Sequence, residues 1–307
     1  MNKIKILKKD LNLSLLNKKK FIDEMHLLHS TLFSYSNEID KTDIQTIKIN
    51  SEGVFFILNN NLTFQVNDLD KRTAPIEAFN FNNYESDYSD LLLKTSKKAT
   101  IILDIGANVG WYSLHFSKMK SSKIYSFEPV EYIFNQLKNN IQLNNISNVF
   151  PFNVALSNET GNKEFYYDPL NASATSSENI LDSVLAPITC RTIDLDTFIV
   201  QNKIERLDLI KCDVEGAEIN VIKGGLNSIK KFRPIVFMEM LRKWSAKFNY
   251  HPNDIIQLFN LIGYSCYEYI NKELIKIENI DEDTISTNFL FLHNTEHHEF
   301  LKTYNEL

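Results

Sequence analysis

Cysteine is scarce in this chain of 307 residues. Cys190, Cys212 and Cys266 stand far apart and form no Cys-x-x-Cys pair. That spacing excludes a disulfide framework and a thiolate zinc site, and it points to a reducing compartment with buried thiols. Long apolar runs are also missing. The lysines at the start (Lys3, Lys5, Lys8, Lys9) are followed by Leu11, Leu13, Leu15 and Leu16, but Asn12, Ser14 and Asn17 interrupt them. Neither a signal peptide nor a membrane-spanning helix is expected, and a cytoplasmic location is. Positive charge is in deficit: 33 Lys and Arg against 39 Asp and Glu give a formal net charge of −6. A nucleic-acid polyanion is therefore not expected as the main partner. The Lys18-Lys-Lys20 cluster reads as a solvated helix face, with an anionic membrane or a polyanionic glycan as the alternative. There is no internal repeat, and no G-x-G-x-x-G turn of the kind that lets backbone touch a pyrophosphate.

The remaining composition, 43% hydrophobic and 23% charged, is that of an ordinary globular protein. Three regions are expected: an N-terminal helical and hairpin appendage (1–98), an α/β domain (99–295) and a polar tail (296–307). In the appendage, leucine spacing predicts a helix over about 11–33. Gly53–Leu58 and Leu62–Val66, separated by Asn59-Asn-Asn61, predict a hairpin. Ser89–Lys94 reads as a short helix. From Ala99 onward strands and helices alternate, which implies a mainly parallel sheet with right-handed crossovers. Strands are expected at Thr100–Asp104, Lys123–Phe127, Val149–Ala155, Leu207–Asp213, Pro234–Glu239, about Tyr264–Tyr269, and Asn288–His293. Helices are expected at Trp111–Lys118, Glu131–Leu143, Glu218–Lys223 and Pro252–Leu261. Asn158–Gly161 and Phe165–Tyr167 predict a small hairpin on the third strand unit, and Asn171–Glu178 a mobile loop. The last two strands lack an intervening helix and are expected to pair antiparallel.

The chemistry concentrates at strand ends. Ile101–Ile105 runs into Gly106-Ala-Asn108-Val-Gly110 and then a helix, and Ile124–Phe127 ends on Glu128-Pro129. This order builds a nucleotide-sized pocket at the carboxyl ends of strands. Asp104 occupies the place of a dinucleotide motif's first glycine, where a carboxylate repels pyrophosphate but attracts the ammonium of a methionine-like group. Gly106 allows a close backbone approach. Asn108 tolerates turn conformations, and the helix starting near Gly110 presents free N–H groups. Glu128, about 20 residues beyond the loop, is placed to bind both ribose hydroxyls. Together these features point to S-adenosylmethionine. Asn153 and Ala155 close the third strand, the amide reading adenine edges or simply capping the strand.

Asp213-Val-Glu215-Gly216-Ala-Glu218 sets three carboxylates at one strand end. Their repulsion requires a compensating cation: the cofactor's sulfonium, a metal ion, or Lys211, Arg191 or Lys243. Glu218 near a helix start also offsets the macrodipole. Glu239 ends the neighbouring strand, so Asp213 and Glu239 are candidates for general-base work on a hydroxyl. His251, in a loop before Pro252, is a third candidate base. His115 reads as packing, Cys212 as strand packing, and His297 and His298 carry no signal.

Taken together, the residues resemble the FkbM-type family of class I S-adenosylmethionine-dependent methyltransferases. The matching pieces are Tyr84-Glu85, Asp104–Gly110, Phe127-Glu-Pro129, Asn153–Leu156, Thr192–Asp196, Ile210–Glu218 and Glu239. They cover roughly Phe81 to Tyr269. The resemblance implies a Rossmann-like α/β fold, with a mainly parallel seven-stranded sheet and helices on both faces. It also implies methyl transfer to a hydroxyl of a sugar, glycan or natural product. By carry-over, Glu85, Asp104, Gly106, Asn108, Gly110, Glu128, Asn153 and Ala155 belong to the cofactor site, and Asp213 and Glu239 face the transferred methyl. An Asp/Asn-Pro-Pro-aromatic run after strand four and a Pro-Cys nucleophile are both absent, which favours oxygen as the acceptor. No resident metal is expected. The rival readings are a metal-assisted enzyme using Asp213, Glu215 or Glu239, and a non-catalytic cofactor-binding or scaffold protein.

Overall fold

The computed structural model describes residues 2–69, 71–168, 175–180 and 187–305. The chain opens with two helices, α1 (Lys3–Asn12) and α2 (Lys18–Glu38). Each is capped by an asparagine whose side-chain oxygen accepts a backbone N–H, Asn2 from Lys5 and Asn17 from Lys20. The single helix expected over 11–33 is thus divided. Ser14 sits in the left-handed region (φ 57) and Asn17 starts a new helix. The two lie antiparallel, with Lys3 3.5 Å from Glu24.

Next come β1 (Ile44–Asn50), β2 (Gly53–Leu58) and β3 (Thr63–Val66), an antiparallel sheet of three. The expected hairpin is β2–β3, and β1 adds a partner that its polar pattern concealed. Helices α3 (Ala74–Asn80) and α4 (Ser86–Ser96) follow. Phe56, Phe64, Leu91 and Leu92 are buried in one cluster with Ile102, Leu114 and Ile124, so this region shares a core with the main sheet.

The remaining strands are β4 (Ile101–Ile105), β5 (Lys123–Phe127), β6 (Val149–Phe152), β7 (Ala155–Ser157), β8 (Gly161–Phe165), β9 (Ile188–Asp194), β10 (Leu209–Cys212), β11 (Ile235–Glu239), β12 (Tyr264–Ile270), β13 (Glu273–Ile277) and β14 (Asn288–His293). The main sheet has eight strands in the order β13-β12-β14-β11-β10-β4-β5-β6. The five from β11 to β6 are parallel, and β14 pairs antiparallel with both β11 and β12, as expected for the last two long strands. The count exceeds seven because the charged stretch after β12 folds back as the edge strand β13.

Alternate strand residues face opposite layers. Ile102, Ile124 and Leu209 pack with Leu114 of α5 (Trp111–Phe116) and Leu137 of α6 (Glu131–Leu143). Leu103, Ile210 and Val236 pack against the other layer. Its helices are α7 (Leu195–Gln201), α8 (Glu218–Gly224), α9 (Leu226–Phe232) and, beyond the short α10 (Arg242–Ser245), α11 (Pro252–Asn260).

Two expectations for the third strand unit are corrected. Val149–Ala155 is not one strand: β6 ends at Phe152 and β7 begins a second sheet at Ala155, with Asn153 at the break. The expected local hairpin is also absent, because β8 and β7 both pair with the distant β9. Of the expected mobile loop, residues 171–174 lie outside the described residues. Ser176 is buried, bridges to Tyr166 and donates its hydroxyl to the Glu215 carbonyl at 2.8 Å. In the polar C-terminal segment, α12 (His298–Asn305) brings the Tyr304 hydroxyl to that of Tyr269 at 2.8 Å. Among the described residues no helix is long and apolar enough to cross a membrane.

Candidate active site

The carboxyl ends of β4, β5, β10 and β11 open into a cavity of about 650 Å³. Its floor is the turn after β4. Gly106 has φ +75°, and a Cβ there would stand 1.8 Å from the Asp213 carbonyl oxygen, so only glycine lets the turn lie against the end of β10. The Gly106 and Ala107 N–H groups donate to the Phe127 carbonyl at 3.1 and 2.9 Å, tying the turn to β5.

Beneath this floor sits Asp104, with no exposed surface. It accepts from the Ser113 hydroxyl at 2.5 Å and has the Lys211 ammonium 3.6 Å away. Asp104, expected to meet a ligand, lies under the loop and is not among the cavity lining, and one of its carboxylate oxygens has no hydrogen-bond partner. Gly110 likewise does not line the cavity. At φ +95° its missing Cβ makes room for Leu137 and Leu114, which would lie 2.6 and 2.9 Å away, so it serves packing of α5 on α6.

Glu128 does face the cavity, almost fully buried. Its carboxylate accepts the Asn108 N–H at 3.1 Å and the Val130 N–H at 3.0 Å. Burial dominates over these bonds and pushes its pKa up to about 7. Asn108 lines the cavity in the left-handed conformation (φ 49), as its motif position implied. Ala155 and Pro129 form part of the wall. Asn153 does not. Its amide donates to the Glu128 and Pro129 carbonyls, both at 2.9 Å, so it braces the wall from behind.

Opposite Glu128 stands an acid cluster. Asp213, Glu215 and Glu239 bring carboxylate oxygens within 4.8 Å of one another. Burial, then the neighbouring carboxylates, hold Glu215 and Glu239 well above the usual range. The compensating cation inside the protein is Lys211, buried in β10. Its ammonium lies 3.3 Å from Asp213, donates to the Gly106 carbonyl at 3.1 Å and stands 5.3 Å from the Tyr112 ring centre. Burial alone would lower its pKa, but Asp213, Asp104 and Glu85 outweigh that and raise it. Of the other two candidates, Lys243 lines the cavity and Arg191 does not.

Glu85 joins this wall from the N-terminal region. It adopts φ 47 at the start of α4 and accepts a hydrogen bond from the Tyr112 hydroxyl. Glu218 has a different role. It accepts the Val214 and Gly216 N–H groups, both at 3.1 Å, and the Tyr250 hydroxyl at 3.0 Å, holding the turn after β10. His251, expected as a candidate base, caps α11, accepting the Asn253 N–H at 3.2 Å, and does not line the cavity.

Sequence reasoning named Tyr84 only as part of a matching motif and left out Tyr112 and Trp244; all three line the cavity with Arg72. Tyr84 packs edge-on to Trp111 at 5.3 Å. The usable signal was their closeness to Glu85, Gly110 and Lys243 in the chain. Arg72 had no such neighbour.

A mainly parallel sheet of this order, with a glycine turn after β4 and an acid after β5, defines the class I methyltransferase fold. Within that class, the model of the methyltransferase FkbM domain matches residues 104–266, and the chain belongs to that family. The hexuronic acid methyltransferase AglP of Haloferax volcanii is 26% identical over 152 residues, covering 50% of this chain and 61% of AglP. The 2-O-methyltransferase NoeI of Sinorhizobium fredii is 28% identical over 154 residues, covering 45% and 62%. The chain thus spans about three-fifths of the length of these curated relatives. The crystal structure of a methyltransferase FkbM from Methylobacillus flagellatus KT is 16% identical, with a TM-score of 0.40, covering 63% of this chain and 43% of that one.

Proposed function

We propose that the protein is an S-adenosylmethionine-dependent O-methyltransferase acting on a hydroxyl of a sugar, glycan or related small molecule. The observation that carries this reading is that Glu128 and the Asp213–Glu239 pair line one cavity. The residues fit the cofactor on chemical grounds. Glu128 spends two acceptor positions on backbone N–H groups and has others for ribose hydroxyls. Ala155 and Pro129 give the wall apolar surface suited to adenine, and the acid cluster suits a sulfonium. When bound, the cofactor supplies a methyl group already activated for transfer.

The chain's own work is alignment, exclusion of water and proton handling. Lys211, by its bonds to Gly106 and Asp213, fixes the donor floor against the acid wall. Burial, then the neighbouring carboxylates, raise the Glu239 carboxyl, which is hydrogen-bonded to Asp213. Asp213 is placed to accept the proton of the acceptor hydroxyl, whose oxygen would take the methyl as the cofactor's methyl–sulfur bond breaks and the neutral thioether leaves. Glu85 and Asn108 complete the donor side. In this reading residues 99–295 are the methyltransferase domain, and residues 1–98 supply the acceptor wall through Arg72, Glu77 and Tyr84. The likeness to a hexuronic acid methyltransferase and a 2-O-methyltransferase supports a sugar hydroxyl as the acceptor.

The test is transfer of labelled methyl from S-adenosylmethionine to hexose and hexuronic acid glycans, with ether linkage read by mass spectrometry. Cofactor binding without transfer to any of them would favour the non-catalytic alternative. The convergence of Asp213, Glu215 and Glu239 supports a second reading, a divalent ion assisting the same transfer. Activity lost in EDTA and restored by Mg²⁺ supports it, and full activity in EDTA removes it.

A further inference from the structure

The α1–α2 hairpin ends in an exposed turn with no side-chain partner among the described residues. Leu13 and Leu15 are 57% and 73% exposed at its tip, and their segment is folded over the end of α1 by N–H bonds from Leu15 and Leu16 to the Asp10 carbonyl. Five lysines surround this tip: Lys8 and Lys9 near the end of α1, and Lys18, Lys19 and Lys20 in the first turn of α2. All five are exposed, and among the described residues none forms an ion pair. Asp10 is the one acid between Lys8 and Lys20. The charge is strongly polarised along the chain. Residues 1–21 hold seven lysines against one aspartate, +6, while the whole chain is −6, leaving −12 on the rest. Of the 21 residues of α2, none is buried.

We propose that this turn docks the protein on the surface of an anionic lipid bilayer. Two exposed leucines ringed by lysines match the two layers of a membrane interface, apolar acyl chains below and anionic headgroups around. A soluble polyanion would engage the lysines and leave both leucines in water, so it accounts for half of the feature. The acidic remainder of the molecule is repelled by the same surface, which orients the protein tip-first.

The test is co-sedimentation of the full chain with phosphatidylcholine vesicles, with and without phosphatidylglycerol. Tight binding to anionic vesicles, at least tenfold weaker to neutral ones and weakened by salt, is expected. Replacing the lysines with glutamine lowers the partition coefficient about fivefold for each one removed. Leu13→Ser with Leu15→Ser lowers it roughly tenfold or more while leaving heparin retention unchanged. Thermal melting of each variant checks the fold. No preference for anionic vesicles overturns the proposal. Vesicle binding that ignores the leucine pair also overturns it and identifies a polyanion site instead.

Discussion

The Lys211 ammonium donates to the carbonyl oxygen of Gly106 at 3.1 Å, across 105 residues of sequence. The side chain that neutralises the acid wall therefore also pins the donor floor. Lys211→Met strands the buried Asp104 carboxylate and frees the Gly106 turn. A loss of about 3–5 kcal/mol in urea unfolding is expected, the usual result of removing one partner from a buried ion pair.

Gly106→Ala places a methyl group against backbone, not a movable side chain, at a φ of +75°. The turn must shift away from β10. Calorimetry is expected to find no measurable cofactor binding, with a melting temperature lowered by several degrees.

Glu128 gives a pH signature. Its pKa in the fold, about 7, lies above the ordinary 4.5, and Glu218 is raised to about 7 in the same way. The folded state thus holds protons that the unfolded state has released. The stability these groups contribute is complete below about pH 4.5 and is lost as pH rises to about 7. Cofactor affinity runs the other way, because ribose hydroxyls donate to the carboxylate: binding of S-adenosylhomocysteine tightens from pH 6 to pH 8. Glu128→Gln flattens that slope and weakens binding. An unchanged slope in the variant removes Glu128 from the ribose site.

Asp213→Asn is expected to lower turnover about 10²–10⁴-fold, the usual range for a lost general base, with cofactor affinity nearly retained. Glu239→Gln tests the raised carboxyl. Since burial, then the neighbouring carboxylates, raise Glu239, wild-type turnover is expected to rise with pH as Glu239 gives its proton up. The glutamine variant moves this limb of the profile.

His251→Ala separates capping from catalysis. Removing the acceptor of the Asn253 N–H costs about 1 kcal/mol of stability and leaves turnover at the wild-type level.

Local chemistry was legible in the sequence where neighbouring residues decide it. Glu131–Leu143 and Asn288–His293 form with the expected bounds, because amphipathic spacing and strand alternation are properties of the segment itself. Gly106, Asn108 and Glu128 were readable for the same reason: the turn needs them whatever surrounds it. Asp104 and Asn153 share that motif region but turn inward, to Ser113 and Lys211 and to the Glu128 carbonyl. Their partners are set by how strands stack, which spacing does not encode. A loop histidine before proline looks the same in sequence whether it faces a pocket or, like His251, caps a helix. Glu85 was placed by family likeness alone, since its burial depends on Tyr112 from another element.

Glu85 and Tyr84 line the same cavity as Glu128 and Asp213, yet they lie outside the stretch 104–266 matched by the family model. The two sides of the cavity are therefore written in separate parts of the chain. On the proposed reading, exchange of residues 72–84 between relatives would re-cut the acceptor side without disturbing the turn at Gly106. One inherited donor cradle can in this way be fitted with many different doors.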